Sequence, residues 1–280
     1  MNAQEKKTLQ RTANQVRKGV VEAVFAAQSG HPGGSLSIAD IMTYLYEKEL
    51  RLDVENPHWE DRDRLVLSKG HVCPALYSAM AIKGFLPFEE LKTFRRVGSR
   101  LQGHPDLNKL PGVDFSAGSL GQGMSAAVGM ALMGKLGKKD YRTYAILGDG
   151  ELQEGQVWES AMFAAHYGLD NLCYIIDNNG LQIDGSLDDV CSPYPIDEKF
   201  AAFGFEVICI DGHDFDAIEA AFKKAKTISG KPTAIIAKTT KGKGVSFMED
   251  KASWHGSAPN VEQYACAMEE IAKLDEALAV

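Results

Sequence analysis

The stretch that decides the fold is TYAILGDGELQEGQVWESAMFAAHYGLDNLCYIIDNNG, residues 143–180. It opens with a short apolar run that stops at a glycine turn, GDG (148–150). GQVWESAMFAAHYG (155–168) then reads as a helix, and LCYIIDNN (172–179) is a second uninterrupted apolar run. Apolar strand, helix, apolar strand is one βαβ unit, whose right-handed crossover sets successive strands side by side and parallel. Asp149 and Asn179 then fall at neighbouring strand ends.

The same grammar extends outward in both directions. RLVLS (64–68), FEVICIDG (205–212) and PTAIIAKT (232–239) read as further strands, with a small-residue helix at 73–83 and an amphipathic helix at 214–227. Continuous apolar strands separated by helices predict an α/β fold: a doubly wound, mostly parallel sheet of about five strands with helices on both faces. The expectation is a single domain over residues 1–280. An N-terminal helical segment covers residues 1–50. In it a helix over 3–29 buries Val16, Val20, Val21, Val24 and Phe25, GHPGGSLS (30–37) interrupts, and a second helix over about 37–50 starts with Ser37 as N-cap and Asp40 in the capping-box position. A C-terminal helix over about 261–279 sets Val261, Tyr264, Ala265, Met268, Ile271 and Leu274 on one face.

Composition limits the possible functions. The chain has 280 residues, 45% hydrophobic and 24% charged, a globular profile. A formal net charge of −8 argues against a nucleic-acid surface. Five cysteines without C-x-x-C spacing suggest neither a disulfide framework nor a zinc site, and are expected to be buried reduced thiols. No apolar run reaches membrane-spanning length and the polar start MNAQEKKTLQ has no signal-peptide pattern, so a cytoplasmic location is expected.

Ligands of doubly wound sheets bind at the carboxyl ends of the strands. SKGH (68–71), GDG, DNN (177–179), DGH (211–213) and TTKGKG (239–244) all fall there. One carboxylate, one amide oxygen and a backbone carbonyl are hard donors that suit Mg²⁺ or Ca²⁺ and not zinc, and leave coordination positions for diphosphate oxygens. Gly150 permits close approach of phosphate. A lone GDG is also an ordinary turn with a capping aspartate; Asn179 at the next strand end favours the ion site. Lys241 and Lys243 in TTKGKG suit a phosphate and equally a solvated loop.

GDG followed about thirty residues later by NN resembles the diphosphate-binding signature of thiamine diphosphate enzymes. GDGELQEGQVWE with DNNGLQIDG resembles transketolase specifically, and so do SGHPGGSLS (29–37), SKGH, QGHPD (102–106), AGSLGQG (117–123) and KGKGVSFMEDKASWHG (241–256). The resemblance implies that Asp149, Asn179 and the Leu181 carbonyl hold Mg²⁺, with Ca²⁺ or Mn²⁺ able to substitute. It implies cofactor contacts from His71, Gly118, Ser119, Leu120, Gly150, Glu151, Asn179 and His255. The implied reaction moves a two-carbon ketol unit from a ketose phosphate to an aldose phosphate through a thiamine diphosphate carbanion. Catalytic roles are implied for His31 and His255 near the reacting hydroxyls and for His104 at the donor's terminal hydroxyl, imidazoles being expected to titrate near working pH. His166 reads as helix surface or packing, and His58 and His213 as loop residues.

Complete transketolases are more than twice this long, and their next domain binds the aminopyrimidine ring. The chain is then either a fragment of such an enzyme or one subunit of a split transketolase, and the split subunit is the favoured expectation. It is joined by a C-terminal subunit carrying the pyrimidine-binding domain, in a heterotetramer with two copies of each chain. The alternatives are a non-catalytic cofactor-binding protein and another enzyme of the superfamily, such as a deoxyxylulose-phosphate synthase or a dehydrogenase α subunit. The histidine blocks favour transketolase.

Overall fold

A computed structural model describes residues 1–278. Five strands form one parallel sheet: β1 (Arg64–Leu67), β2 (Thr143–Gly148), β3 (Leu172–Asn178), β6 (Glu206–Asp211) and β7 (Thr233–Lys238), in the order β1-β2-β3-β7-β6. A separate two-residue hairpin, β4 (Leu181–Gln182) with β5 (Gly185–Ser186), follows β3 and leads into a single helical turn, α7 (Leu187–Val190). The predicted class and all five sheet strands are found.

Side chains alternate across a strand, and here the alternation divides the core in two. Leu65, Leu67, Tyr144, Ile146, Cys173, Ile175 and Ile235 pack on one face, with α1 (Ala3–Ala27), α4 (Cys73–Lys83), α9 (Phe215–Thr227) and α10 (Val261–Ala277). Val66, Ala145, Leu147, Leu172, Tyr174, Ile176 and Ile236 pack on the other, with α5 (Gln122–Leu136), α6 (Gly155–His166) and α8 (Ile196–Ala202). Both faces are buried, which is why the strands read as continuous apolar runs. The chain builds β1, β2 and β3 in one direction, crosses to β6 and returns to β7 beside β3. Strand order thus reverses between β3 and β7, the place where such sheets open a ligand crevice.

The N-terminal segment departs from the expectation. The break expected over GHPGGSLS is shorter than that: α1 ends at Ala27, residues 28–31 leave the helix, and Pro32–Ser37 is itself helical (α2), with His31 as N-cap and Pro32 at its first position. Ala39–Tyr44 (α3) and a wide π-type turn, Leu45–Glu49, continue it. Ser37 therefore ends a helix instead of capping one. Gly33 and Gly34 lie inside α2 and admit close packing, since a Cβ on Gly34 would lie 2.8 Å from Val72 Cγ1. On α10 only Ala267 and Ile271 are buried, while Val261, Ala265 and Leu274 are exposed. Tyr264 instead stacks on Phe25 at 4.1 Å. Residue 279, the expected helix end, lies outside the described residues. All five cysteines are free, but Cys191, Cys209 and Cys266 are exposed, on a loop, the edge strand β6 and the outer face of α10. Among the described residues no helix is long and apolar enough to cross a membrane.

Candidate active site

At the carboxyl edge of β2 and β3 the backbone register sets Gly148 opposite Asp177, and Asp149 follows immediately. Asp149 is 2% exposed. Its carboxylate accepts from the N–H of Gly150 (2.8 Å) and the N–H of Gly180 (2.6 Å). Among the described residues no Lys or Arg lies within ion-pair distance of it. Burial, and then the neighbouring Asp177 carboxylate, push its pKa up to about 6. Asn179 follows the end of β3; its Oδ1 accepts from the Leu181 N–H at 3.1 Å and its Nδ2 donates to Asp177 at 2.9 Å. The Leu181 carbonyl accepts from Lys241 Nζ at 3.1 Å. Asp149, Asn179 and Leu181 all line one cavity of about 410 Å³. A buried carboxylate without a cation, an amide oxygen and a carbonyl already drawing a positive charge fit a divalent cation with oxygen ligands. Among the described residues there is no cluster of three or more His, Cys, Asp and Glu side chains arranged for a metal, so a zinc-type site does not compete.

The wall facing these oxygens is cationic and imidazole-lined. The rings of His31, His71 and His255 form a triangle with centroids 5.0, 5.4 and 5.1 Å apart. Each comes from a different element: the N-cap of α2, a 3₁₀ turn after β1 (Gly70–Val72), and the turn after a second 3₁₀ segment (Ala252–Trp254). Lys69 and Lys241 stand among them, both buried. Burial first and the surrounding cations second hold His31 down at about 4 and His255 at about 3, with His71 also well below its usual range. Burial and then Lys69 bring Lys241 down to about 8. The rings therefore do not titrate near neutrality in this setting, contrary to the expectation. Arg95 Nη2 lies 3.4 Å from His31 Nδ1, and Lys241 Nζ 3.0 Å from His255 Nδ1. Both cations can only donate, so each neutral ring carries its proton on Nε2.

Most of the expected site residues converge here. His31, His71, Gly118, Leu120, Asp149, Gly150, Glu151, Asn179, Leu181 and His255 line the cavity, together with Lys69 and Lys241. Three stand differently. Glu151 borders the cavity, but its carboxylate is committed to protein donors: Ser68 Oγ, the Gly121 N–H (2.8 Å) and the Gly148 N–H (3.0 Å). It ties the ends of β1 and β2 to the start of α5. Ser119 is exposed and does not line the cavity. His104 is also exposed and off the lining, with its ring 3.8 Å from where a Cβ on Gly118 would stand. His213, expected to be a plain loop residue, bridges two elements: Nδ1 lies 2.8 Å from Asp40, and Nε2 accepts from the Thr240 N–H at 2.9 Å. Asp40, expected as a capping residue, also pairs with Arg17. Sequence reasoning passed over Arg95, which is anchored on Ser29 at 2.6 Å, and Asp177. The first gives no signal in RRVGS, while the second was hidden by the asparagines beside it.

A crevice lined by two lysines and three imidazoles at the carboxyl edge of a doubly wound sheet marks an α/β ligand-binding domain. The particular family follows from comparison. Residues 8–275 match the family described as transketolase, thiamine diphosphate binding domain, and the chain belongs to that family. It is 46% identical over 265 residues to a 6-deoxy-6-sulfo-D-fructose transketolase subunit of Clostridium sp. (strain MSTE9), covering 95% of this chain and 96% of the relative. It is 42% identical over 271 residues to an apulose-4-phosphate transketolase subunit of Phocaeicola vulgatus, with 97% and 96% covered. The crystal structure of transketolase from Campylobacter jejuni superposes with a TM-score of 0.90 at 38% identity, over 97% of this chain and 43% of that one. The chain thus spans less than half of that solved transketolase.

Proposed function

We propose that residues 1–280 form one thiamine diphosphate-binding unit, the diphosphate- and metal-holding subunit of a two-chain transketolase that works in the cytoplasm. The observation that carries the reading is Asp149: a buried carboxylate without a cationic partner, beside an amide oxygen and a carbonyl, facing two lysines and three imidazoles across one cavity. In this reading Asp149, Asn179 and the Leu181 carbonyl hold Mg²⁺. Gly150, His71, Lys69 and Lys241 meet the diphosphate, and Gly118 and Leu120 lie along the cofactor. Thiamine diphosphate, when bound, supplies a carbon nucleophile able to carry a two-carbon ketol unit between sugars. His31 and His255, protonated on Nε2, donate hydrogen bonds to the sugar oxygens where negative charge develops. His104 reaches the sugar from beside Gly118.

Two relatives named as transketolase subunits match along nearly their whole length, which supports a separate partner chain carrying the pyrimidine-binding domain. A heterotetramer with two copies of each chain follows from the prevalence of closed symmetry. The substrate class is a ketose and an aldose, phosphorylated or sulfonated, as the names of those relatives suggest. Coexpression with the adjacent reading frame, calorimetry with thiamine diphosphate and Mg²⁺, and a donor–acceptor panel test the proposal. Asp149→Ala is expected to abolish metal-dependent cofactor binding while the chain stays folded. Parent-like affinity in that variant overturns the metal site.

A further inference from the structure

Asp177 closes β3 with a side chain that is 0% exposed and takes no part in the cavity lining. Four side chains from four segments donate hydrogen bonds to it: Lys69 Nζ after β1, Ser37 Oγ at the end of α2 (2.5 Å), Thr239 Oγ1 after β7, and Asn179 Nδ2 (2.9 Å). With an ammonium, two hydroxyls and an amide NH₂ all donating to it, this carboxylate is an acceptor only.

The contact with Asn179 has a consequence for the cation site. A carboxamide has two ends of nearly equal shape, one a donor and the other an acceptor. Only the oxygen can ligate a cation. With an ionised carboxylate against one end, the amide must turn its NH₂ that way, since the reverse sets oxygen against oxygen. The Leu181 N–H at the other end, donating to Oδ1 at 3.1 Å, agrees with the same orientation. Asn179 Oδ1 retains a second lone pair.

We infer that Asp177 is a positioning residue, whose carboxylate fixes the Asn179 side-chain amide so that Oδ1 is the atom presented to the divalent cation. The inference rests on the proposed metal site and goes beyond it, because Asp177 touches neither cation nor cofactor. Outer partners of metal ligands commonly change metal affinity by about 10- to 100-fold. The fourfold grip on Asp177 makes its own orientation hard to change, so the constraint passes to Asn179 undiluted.

The test titrates Mn²⁺ into the full chain, in the assembly in which it is purified and at saturating thiamine diphosphate, followed by electron paramagnetic resonance with melting curves alongside. Asp177→Asn is expected to weaken Mn²⁺ about 10- to 100-fold. Ser37→Ala, which removes another contact of the same carboxylate, is expected to leave the affinity within about threefold of the parent, because Asn179 keeps its partner. The decisive variant exchanges the two side chains, Asp177→Asn with Asn179→Asp. A carboxylate has an oxygen at both ends, so the orientation requirement disappears while the local charge is kept, and Mn²⁺ affinity should return to the parent's. Parent-like affinity in Asp177→Asn overturns the inference, and so does failure of the exchanged pair to recover what the single change loses. If Asp177→Asn does not fold, the exchanged pair decides alone. Asp149→Ala separates the two levels. Loss of Mn²⁺ there with none in Asp177→Asn sinks only the positioning role, whereas parent-like Mn²⁺ binding in Asp149→Ala removes the metal site and the inference together.

Discussion

At the scale of single residues the site is defined by charges held away from their ordinary protonation. His31 sits among Arg95, Lys241 and His104, and burial adds to their effect, so its pKa falls to about 4. The unfolded chain binds a proton near 6.5, the folded one only near 4, so the folded state is disfavoured progressively as pH falls through that window. At pH 4 and below the expected loss for this ring is on the order of 3 kcal/mol before solvent screening. Imidazole NMR should show His31 neutral down to about pH 5, and adding inorganic diphosphate should raise its midpoint if the basic wall is the anion site. A midpoint near 6.5 without anion would contradict the burial of this ring. His31→Ala and His255→Ala should lower turnover far more than melting temperature, since the triangle of rings lines the cavity and lies outside the two apolar clusters. A large melting shift with normal turnover would assign that ring to the fold.

At the scale of elements, what could be read in advance was whatever obeys a period. The central strands β2, β3 and β7 are apolar through their middles because both sheet faces are covered there, and the motif residues sit at strand ends because the sheet is parallel. What could not be read depends on packing between distant segments. Nothing in HPGGSLS announces a helix whose glycines lie against Val72 and Trp254, nor that Ser37 reaches the Asp177 carboxylate 140 positions later. The Lys241 loop is a similar case. TTKGKG left a phosphate contact and a solvated turn equally open, and tertiary contacts rule out the solvated turn for Lys241, which is buried. Gly242 donates to the Gly33 carbonyl at 2.9 Å, Thr240 to His213, and the Lys241 carbonyl accepts from Asp250. Gly242 has φ +79°, and a Cβ there would lie 2.4 Å from the Met248 carbonyl oxygen. Gly242→Ala should cost about 2–3 kcal/mol and displace Lys241, weakening diphosphate binding as well as lowering the melting temperature. Gly98 has φ +85° and open space around its Cβ position, so Gly98→Ala should cost only about 1 kcal/mol of backbone strain. Equal losses in the two variants would mean that strain, and not crowding by Met248, fixes the loop.

At the scale of the whole molecule, the question is what one chain of this kind can do alone. In the proposed reading the chain's own strand ends hold the diphosphate, and the cavity opens past Leu120 and Ile183, which are 36% and 67% exposed. The carboxylates following Asp149 are poorly placed to serve the far end of an extended cofactor. Glu151 is consumed by Ser68, Gly121 and Gly148, Glu154 stays on the cavity wall one turn from Asp149, and Glu159 lies exposed on α6. The adjoining helices α5 and α6 expose Met133, Leu136, Met162 and Phe163. In the proposed two-chain reading these apolar side chains are covered by the second chain. Purified alone with saturating thiamine diphosphate and Mg²⁺, the chain should transfer no ketol unit; coexpressed with a pyrimidine-domain partner it should. The interface should bury well over about 1,000 Å², as stable assemblies do. Leu136→Lys and Met162→Lys, both at exposed positions that the fold does not need, should leave the melting temperature of the chain nearly unchanged and reduce the assembled fraction in sedimentation runs. Activity should then fall in proportion to assembly, and raising the protein concentration should restore it. Full activity from the isolated chain would overturn the two-chain reading, because the site would then have to complete itself with groups that the chain does not bring to the cavity.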